Sequence, residues 1–256
     1  MGGYRLTDRD AELLSFLAEH RLALPAHAGA LLGTSAATAT GRLTRLADAG
    51  LVNAHPAFPG EPRSHRITRN GLAVIASPLP PPRVDLRAYE HDVGVAWLWL
   101  AARGGTFGPL EEIISERRLR SLDGSREPGA EPRAVRLGGF GPRGQERLHY
   151  PDLLLRTTGG RRVALELELS RKGRARLETI LAGYGADPRF DGVVYLVHSA
   201  PVARAVQAAA RRLGISELVH LQRVRSTVSR AASTTAPAAQ RATPSRRRTL
   251  APESVR

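Results

Sequence analysis

The stretch that most constrains the fold is residues 150–172, YPDLLLRTTGGRRVALELELSRK. Two apolar-rich runs, 153–156 and 162–169, flank Thr157, Thr158, Gly159 and Gly160. That cluster has turn chemistry, so the segment predicts a β-hairpin. Folding about Gly159 sets Asp152 opposite Glu166, and directly opposed residues have Cβ atoms about 4.5–5.5 Å apart. Side chains alternate along a strand with period two. Leu165, Leu167 and Leu169 therefore point one way, and Glu166, Glu168 and Ser170 the other. Lys172 keeps the polar parity if the strand runs that far. One face of the hairpin is expected to be core. The other is expected to gather Asp152, Glu166 and Glu168, with Lys172 beside them.

Clustered carboxylates repel, and something must compensate. One solution is a hard divalent cation held by oxygen ligands, Mg²⁺ above all where phosphate is the substrate. The other is a solvated edge face whose glutamates pair with the abundant arginines. Lys172 is the only lysine in the chain, a bias that together with the high alanine suggests a GC-rich genome. A lysine kept among the acids is a compact point charge with a tunable pKa, which arginine is not.

The formal net charge of +14 and the pI of about 11.4 favour a polyanionic partner. Nucleic acid is the simplest, through counterion release and steering. An anionic membrane surface fits less well, because no basic amphipathic helix with a bulky apolar face is visible. No apolar run approaches the ~20 residues of a membrane span, and MGGYRLTDRD is too polar for a signal peptide. The expectation is a soluble cytoplasmic protein. The absence of cysteine removes disulfides, thiolate nucleophiles and Cys-based zinc sites. At 256 residues and 42% hydrophobic content, the chain can bury one large core or two small ones.

Residues 4–76 read as a helical unit. Thr7 caps a first helix, with Asp10 as an acidic capping-box partner. Leu13, Leu14, Phe16 and Leu17 form its apolar face. Pro25 opens a second helix through Leu32, stopped by Gly33. Ser35 caps a third, from Ala36 to Ala49, with Ala39, Leu43, Leu46 and Ala47 inward and Thr38, Gly41, Arg42 and Arg45 on the other face. Two short strands, 51–55 and 64–68, flank the turn-rich PAFPGEPR, and a last helix ends near Ala76. This order resembles the winged helix-turn-helix superfamily. In such domains the third helix enters the major groove. The resemblance implies that Thr38, Arg42 and Arg45 meet DNA there and that Arg63, His65 and Arg66 meet it from the wing. A protein-binding winged helix with solvated arginines is the alternative.

The proline-rich stretch 77–84 is the best domain boundary. A helix is expected over 85–103, with Val93, Trp97, Leu100 and Ala101 as its buried stripe. Residues 111–120 look like a strand containing Glu116, and 121–147 like a long loop. Within that loop, residues 139–144 match a dinucleotide-binding glycine motif by letter. The match is rejected because it precedes a strand and contains a proline. Beyond the hairpin come a basic helix over 174–184, a buried central strand over 192–198, an alanine-rich helix over 201–213 and a final strand over 216–224. Residues 225–256, rich in Ser, Thr, Ala, Pro and Arg, cannot bury enough apolar surface to order themselves, and read as a basic tail adding phosphate affinity.

Pro151-Asp152 on one strand and Glu166-x-Glu168 on the next resemble the restriction-endonuclease-like, or PD-(D/E)xK, superfamily. With the winged helix in front, residues 4–224 are similar to the replication-relaxation family, which includes the MOBC-type plasmid mobilisation relaxases. The supporting motifs are His91-Asp92, Ser115-Glu116-Arg117, PDLLL and ELELSRK. The resemblance implies an α/β (α+β) chain: a winged helix over 4–76 and a mixed-sheet nuclease-like domain over 85–224. It implies DNA as partner, along with other plasmid transfer or replication proteins, and Mg²⁺ or Mn²⁺ at Asp152 and Glu166 activating a water for nicking. Glu168 stands where the family's lysine is usual. Lys172 supplies the ammonium in its place, with Glu168 as an extra ligand and Glu90 and Glu116 in reserve. Otherwise the catalytic set is broken and the protein is a DNA-binding accessory or regulator. His91 reads as a packing or capping residue before a ligand, and Tyr150 and Tyr184 as core before nucleophiles. One protomer leaves a dimer open.

Overall fold

The computed structural model describes residues 5–127 and 129–224, so the basic tail expected over 225–256 lies outside the described residues. Helix α1, Asp8–Glu19, starts where the Thr7 side chain accepts from the Asp10 amide and the Asp10 carboxylate accepts from the Thr7 amide. Helix α2, Pro25–Leu32, begins on its proline and ends at Gly33, whose φ of 64° is left-handed. Helix α3, Ala36–Asp48, is capped by Ser35 and buries Ala39, Leu43 and Leu46. Strands β1, Val52–His55, and β2, Ser64–Ile67, pair antiparallel. Helix α4, Arg69–Val74, closes the unit. Gly71 is required there, because a Cβ would stand 2.3 Å from the Leu51 carbonyl oxygen.

After the proline-rich stretch, a 3₁₀ turn over Leu86–Ala88 leads into α5, Tyr89–Arg103. The single buried stripe expected on this helix is a correction. Its Ala96, Trp99 and Leu100 pack into the core of the N-terminal helices, while Ala102, Val95 and Leu98 pack under the large sheet. Val93 and Trp97 meet Leu22. Apolar residues on several sides of one helix mean that it is covered from several sides. Leu79, inside the proline-rich stretch, is itself buried in the N-terminal core.

The large sheet has five strands: β3 (Leu110–Ser115), β6 (Leu153–Thr157), β7 (Arg162–Glu168), β8 (Gly192–Val197) and β9 (Val219–Arg223). They lie in the order β3-β6-β7-β8-β9. The first three pair antiparallel, and β7–β8 and β8–β9 are parallel. Helices α7, Arg174–Ala186, and α8, Ala200–Arg212, connect the parallel strands and cover one face. Helix α5 covers the other. The chain is thus mixed α and β, with a mixed main sheet. Among the described residues no helix is long and apolar enough to cross a membrane.

Two further expectations are corrected. The strand expected over 111–120 stops at Ser115. The Ser115 side chain accepts from the Arg118 amide and so starts helix α6, Glu116–Gly124. The expected loop over 121–147 holds the end of α6 and an antiparallel hairpin of β4, Val135–Phe140, and β5, Glu146–His149. The glycine-rich stretch rejected as a nucleotide motif forms its tip.

Candidate functional site

The β6–β7 register pairs Leu153 with Leu165, and one step further sets Asp152 opposite Glu166, as the hairpin pattern predicts. The face those acids share is not solvated. Both faces of β7 are covered, and Glu166 and Glu168 are only 3% and 5% exposed. Leu165 and Leu167 face α5, whereas Ala164, Glu166 and Glu168 have the parity that faces α7. Solvated carboxylates on an open edge are therefore a correction: the parallel strand β8 and helix α7 roof them over.

Each acid has its own protein partners. Asp152 Oδ2 accepts from the Leu167 amide at 2.7 Å and lies 3.2 Å from His91 Nε2 on α5. Glu166 Oε1 accepts from the Tyr184 hydroxyl on α7 at 2.5 Å and lies 2.6 Å from His149 Nε2 at the end of β5. Glu168 is paired with Lys172. Asp152 and Glu166 are neighbours along the ladder, yet their carboxylates are held from opposite helical layers.

The electrostatics follow from these contacts. Burial pulls the His91 imidazole down, but the Asp152 and Asp92 carboxylates outweigh it and raise it to about 10. Beside Asp152 the His91 ring thus favours its protonated form. Burial pushes Asp152 up, and His91, the Leu167 amide and Lys172 outweigh that and hold it below the usual range. His149 is raised, since Glu166 overcomes the opposing effect of burial. Glu168 is raised by burial against the pull of Lys172. Burial and the Glu166 charge hold the Tyr184 hydroxyl well above its ordinary value. Tyr150 is pushed up to about 12 by burial and then by Asp123, and the Arg120 guanidinium sits 4.3 Å from its ring centroid. Both phenols stay protonated, which suits core residues with polar tips.

Asp152 is reached from solvent through a cleft of about 290 Å³ lined by Arg21, Arg83, His91, Asp92 and Glu116 among others. Arg21, from the end of α1, spans Asp92 at 3.4 Å and Glu116 at 2.5 Å. The Asp92 Oδ2 atom is buried without a hydrogen-bond partner among the described residues. Glu116 heads α6 rather than lying in a strand, and also pairs with Arg120 at 2.8 Å. Glu90 is exposed on α5. Arg21 and His149 carry no local signal in the sequence, because distant packing brings them to the acids. Tyr184 does carry one. It continues the stripe of Leu177, Ile180 and Leu181, and a buried phenol needs a polar partner.

Whether Mg²⁺ or Mn²⁺ fits is decided by the free oxygens. Among the described residues, Asp152 Oδ1 and Glu166 Oε2 make no hydrogen bond. Two such carboxylates suffice for Mg²⁺, which keeps waters and takes its remaining ligands from phosphate. No three His, Asp or Glu side chains among the described residues are grouped to hold a metal. A pair of carboxylates, with waters and phosphate completing the shell, is thus the most that Asp152 and Glu166 offer a cation. Glu168 Oε2 is paired with Lys172, while its Oε1, like the two oxygens above, makes no hydrogen bond among the described residues.

In the N-terminal unit Thr38, Arg45 and Arg63 are exposed and Arg66 is half-buried. Two of the expected DNA contacts, Arg42 and His65, have partners within the chain. Arg42 turns back to α1, with Nη1 2.5 Å from Asp10 Oδ1 and 3.1 Å from the Thr7 hydroxyl, because a buried carboxylate needs a cation. His65 is buried, and its backbone exchanges both hydrogen bonds with Ala23, which leaves no room for a wing contact. Comparisons with family models, curated proteins and solved structures give no match.

Proposed function

We propose that this chain is a DNA-binding protein of plasmid replication or conjugative mobilisation, similar to relaxases of the replication-relaxation family, that nicks or relaxes DNA with Mg²⁺ or Mn²⁺. In this reading residues 4–76 are a winged helix, residues 85–224 a restriction-endonuclease-like domain, and the setting is the cytoplasm with other transfer or replication proteins as partners. The observation that carries it is the opposed pair Asp152 and Glu166, each with one uncommitted oxygen, in a strongly basic chain. Seven arginines and one glutamate follow Val224, so they account for six of the fourteen net positive charges and leave eight on residues 1–224. The body itself thus attracts a polyanion.

When bound, the cation supplies an activated water and a counter-charge for the leaving oxygen. The chain does the rest. Asp152 and Glu166 would hold the ion, and the Leu167 amide and Tyr184 hydroxyl fix the two carboxylates in orientation. Arg21 and Arg83 line the cleft where a phosphodiester would enter. Arg45, Arg63 and Arg66 engage duplex phosphates and base edges. Lys172 keeps buried Glu168 neutralised beside the centre.

Supercoiled plasmid incubated with protein and Mn²⁺ should convert to open circles, and Asp152→Ala or Glu166→Ala should abolish the conversion. Intact supercoils, or nicking that survives both substitutions, would count against the reading. A second reading, a DNA-binding accessory or transcriptional regulator with a degenerate nuclease fold, is favoured by the pairing of all three carboxylates with His91, His149 and Lys172. It expects sequence-selective binding without metal that survives Glu166→Ala and is lost when Arg45 and Arg63 are both changed to Ala.

A further inference from the structure

Among the large apolar residues described, Phe140 is the most exposed, at 73%. It ends β4 at the tip of the hairpin, opposite Glu146. An exposed phenyl ring forgoes the burial that normally rewards it, so the fold gains little from this side chain. The backbone beside it is bare. Gly138 and Gly139 adopt φ of 73° and 67°, and a Cβ at either would meet nothing within 4 Å. Gly144, at φ 67°, is equally open. A planar group can approach the ring without displacing a neighbour at these glycines.

The charge around the ring points to the kind of planar group. Glu146 is the only carboxylate in residues 135–149, and Arg126 and Arg136 both neutralise it, at 3.3 Å and 3.1 Å. Arg147 is exposed and has no ion pair among the described residues. The tip therefore carries an exposed aromatic ring on one strand and, on the other, a guanidinium with no ion pair among the described residues. That combination matches a nucleic-acid strand, whose bases offer π-faces and whose backbone offers phosphates.

The hairpin is rooted in the candidate site. His149, at the end of β5, lies 2.6 Å from Glu166. It lies three positions after Glu146, a distance of roughly 10 Å at ~3.4 Å per residue.

We propose that the β4–β5 hairpin is a base-stacking finger: Phe140 takes an unstacked DNA base on its face, next to the phosphodiester held at Asp152 and Glu166, while Arg147 holds an adjoining phosphate. This rests on the DNA-processing reading above. It gives that reading a substrate class, DNA with a locally single-stranded segment.

The test uses the full chain and fluorescence anisotropy at fixed salt, with a mixed-sequence 20-mer single strand as one probe and its duplex as the other. Stacking on an aromatic side chain tolerates any base, so no target sequence is needed. Phe140→Ala should weaken single-strand binding by about 5- to 150-fold and leave duplex binding within about twofold, whereas Phe140→Tyr should restore the single-strand affinity. 2-Aminopurine in the single strand should be quenched by the native protein and not by Phe140→Ala. Unchanged single-strand affinity in Phe140→Ala overturns the finger. So does a loss of self-association in that variant with single-strand affinity intact, which would make the ring a contact with a second copy. If the native protein binds duplex but no single strand, the finger fails alone. If it binds neither, the DNA-processing reading fails with it.

Discussion

Changing Arg42 to Ala separates two roles that the sequence leaves entangled. On the third helix of the N-terminal unit, Arg42 is expected to read DNA. In the structure its guanidinium sits against Asp10, whose side chain is 2% exposed, and against the Thr7 cap of α1. Removing one partner of a buried pair typically costs about 3–5 kcal/mol. Asp10 would keep the Thr7 amide and hydroxyl, so the low end of that range, about 3 kcal/mol, is the better expectation. At roughly 2–4 °C per kcal/mol for a chain of this size, the midpoint should fall by about 6–12 °C. Arg45→Ala, on the same helix but exposed, should move stability by less than about 0.5 kcal/mol. Thermal and urea unfolding followed by circular dichroism would measure both, with DNA binding measured in parallel below the transition. The reasoning is refuted if Arg42→Ala unfolds like the native chain while losing DNA affinity.

Further outcomes follow from the same contacts. Gly71→Ala should destabilise the N-terminal unit by about 1–3 kcal/mol, because its Cβ would meet the Leu51 carbonyl oxygen and Ile67 Cγ1; an unchanged urea midpoint would contradict this. Lys172→Met should cost about 3 kcal/mol at neutral pH by stranding buried Glu168. That loss should shrink as the pH falls, since Glu168 already sits above the usual range and becomes neutral there. An equal loss at pH 5 and pH 7 would contradict the assignment. The His91–Asp152 pair raises the histidine from 6.5 to about 10, so its contribution is fully present below pH 6.5 and declines as the pH rises through about 10. His91 is 34% exposed, so solvent screening keeps the effect smaller than the shift implies. The gap in melting temperature between the native chain and His91→Gln should close over that window, and a constant gap would remove the pair from the account.

The sequence carries the local features well. Thr7 with Asp10, Pro25, Gly33 and Ser35 all mark helix ends through backbone chemistry that acts within a few residues. The turn at Thr157–Gly160 fixes the register that opposes Asp152 to Glu166. What stayed hidden depends on the third dimension. Period-two parity shows that Glu166 and Glu168 share a face, but not that α7 and β8 bury it. Nothing near Arg21 in the chain shows that it will span Asp92 and Glu116, and His149 lies in a stretch whose glycines and prolines mask a hairpin. The Arg42–Asp10 pair is hidden because helical periodicity gives a direction and not a partner, and the partner is a capping residue of another helix.

The account turns on whether Asp152 and Glu166 act as one metal site. Isothermal titration of the full chain with Mn²⁺ tests this directly. One ion should bind per chain and release protons from the His91–Asp152 pair, and binding should be lost in both Asp152→Ala and Glu166→Gln. No binding, or binding that survives either substitution, would contradict the account.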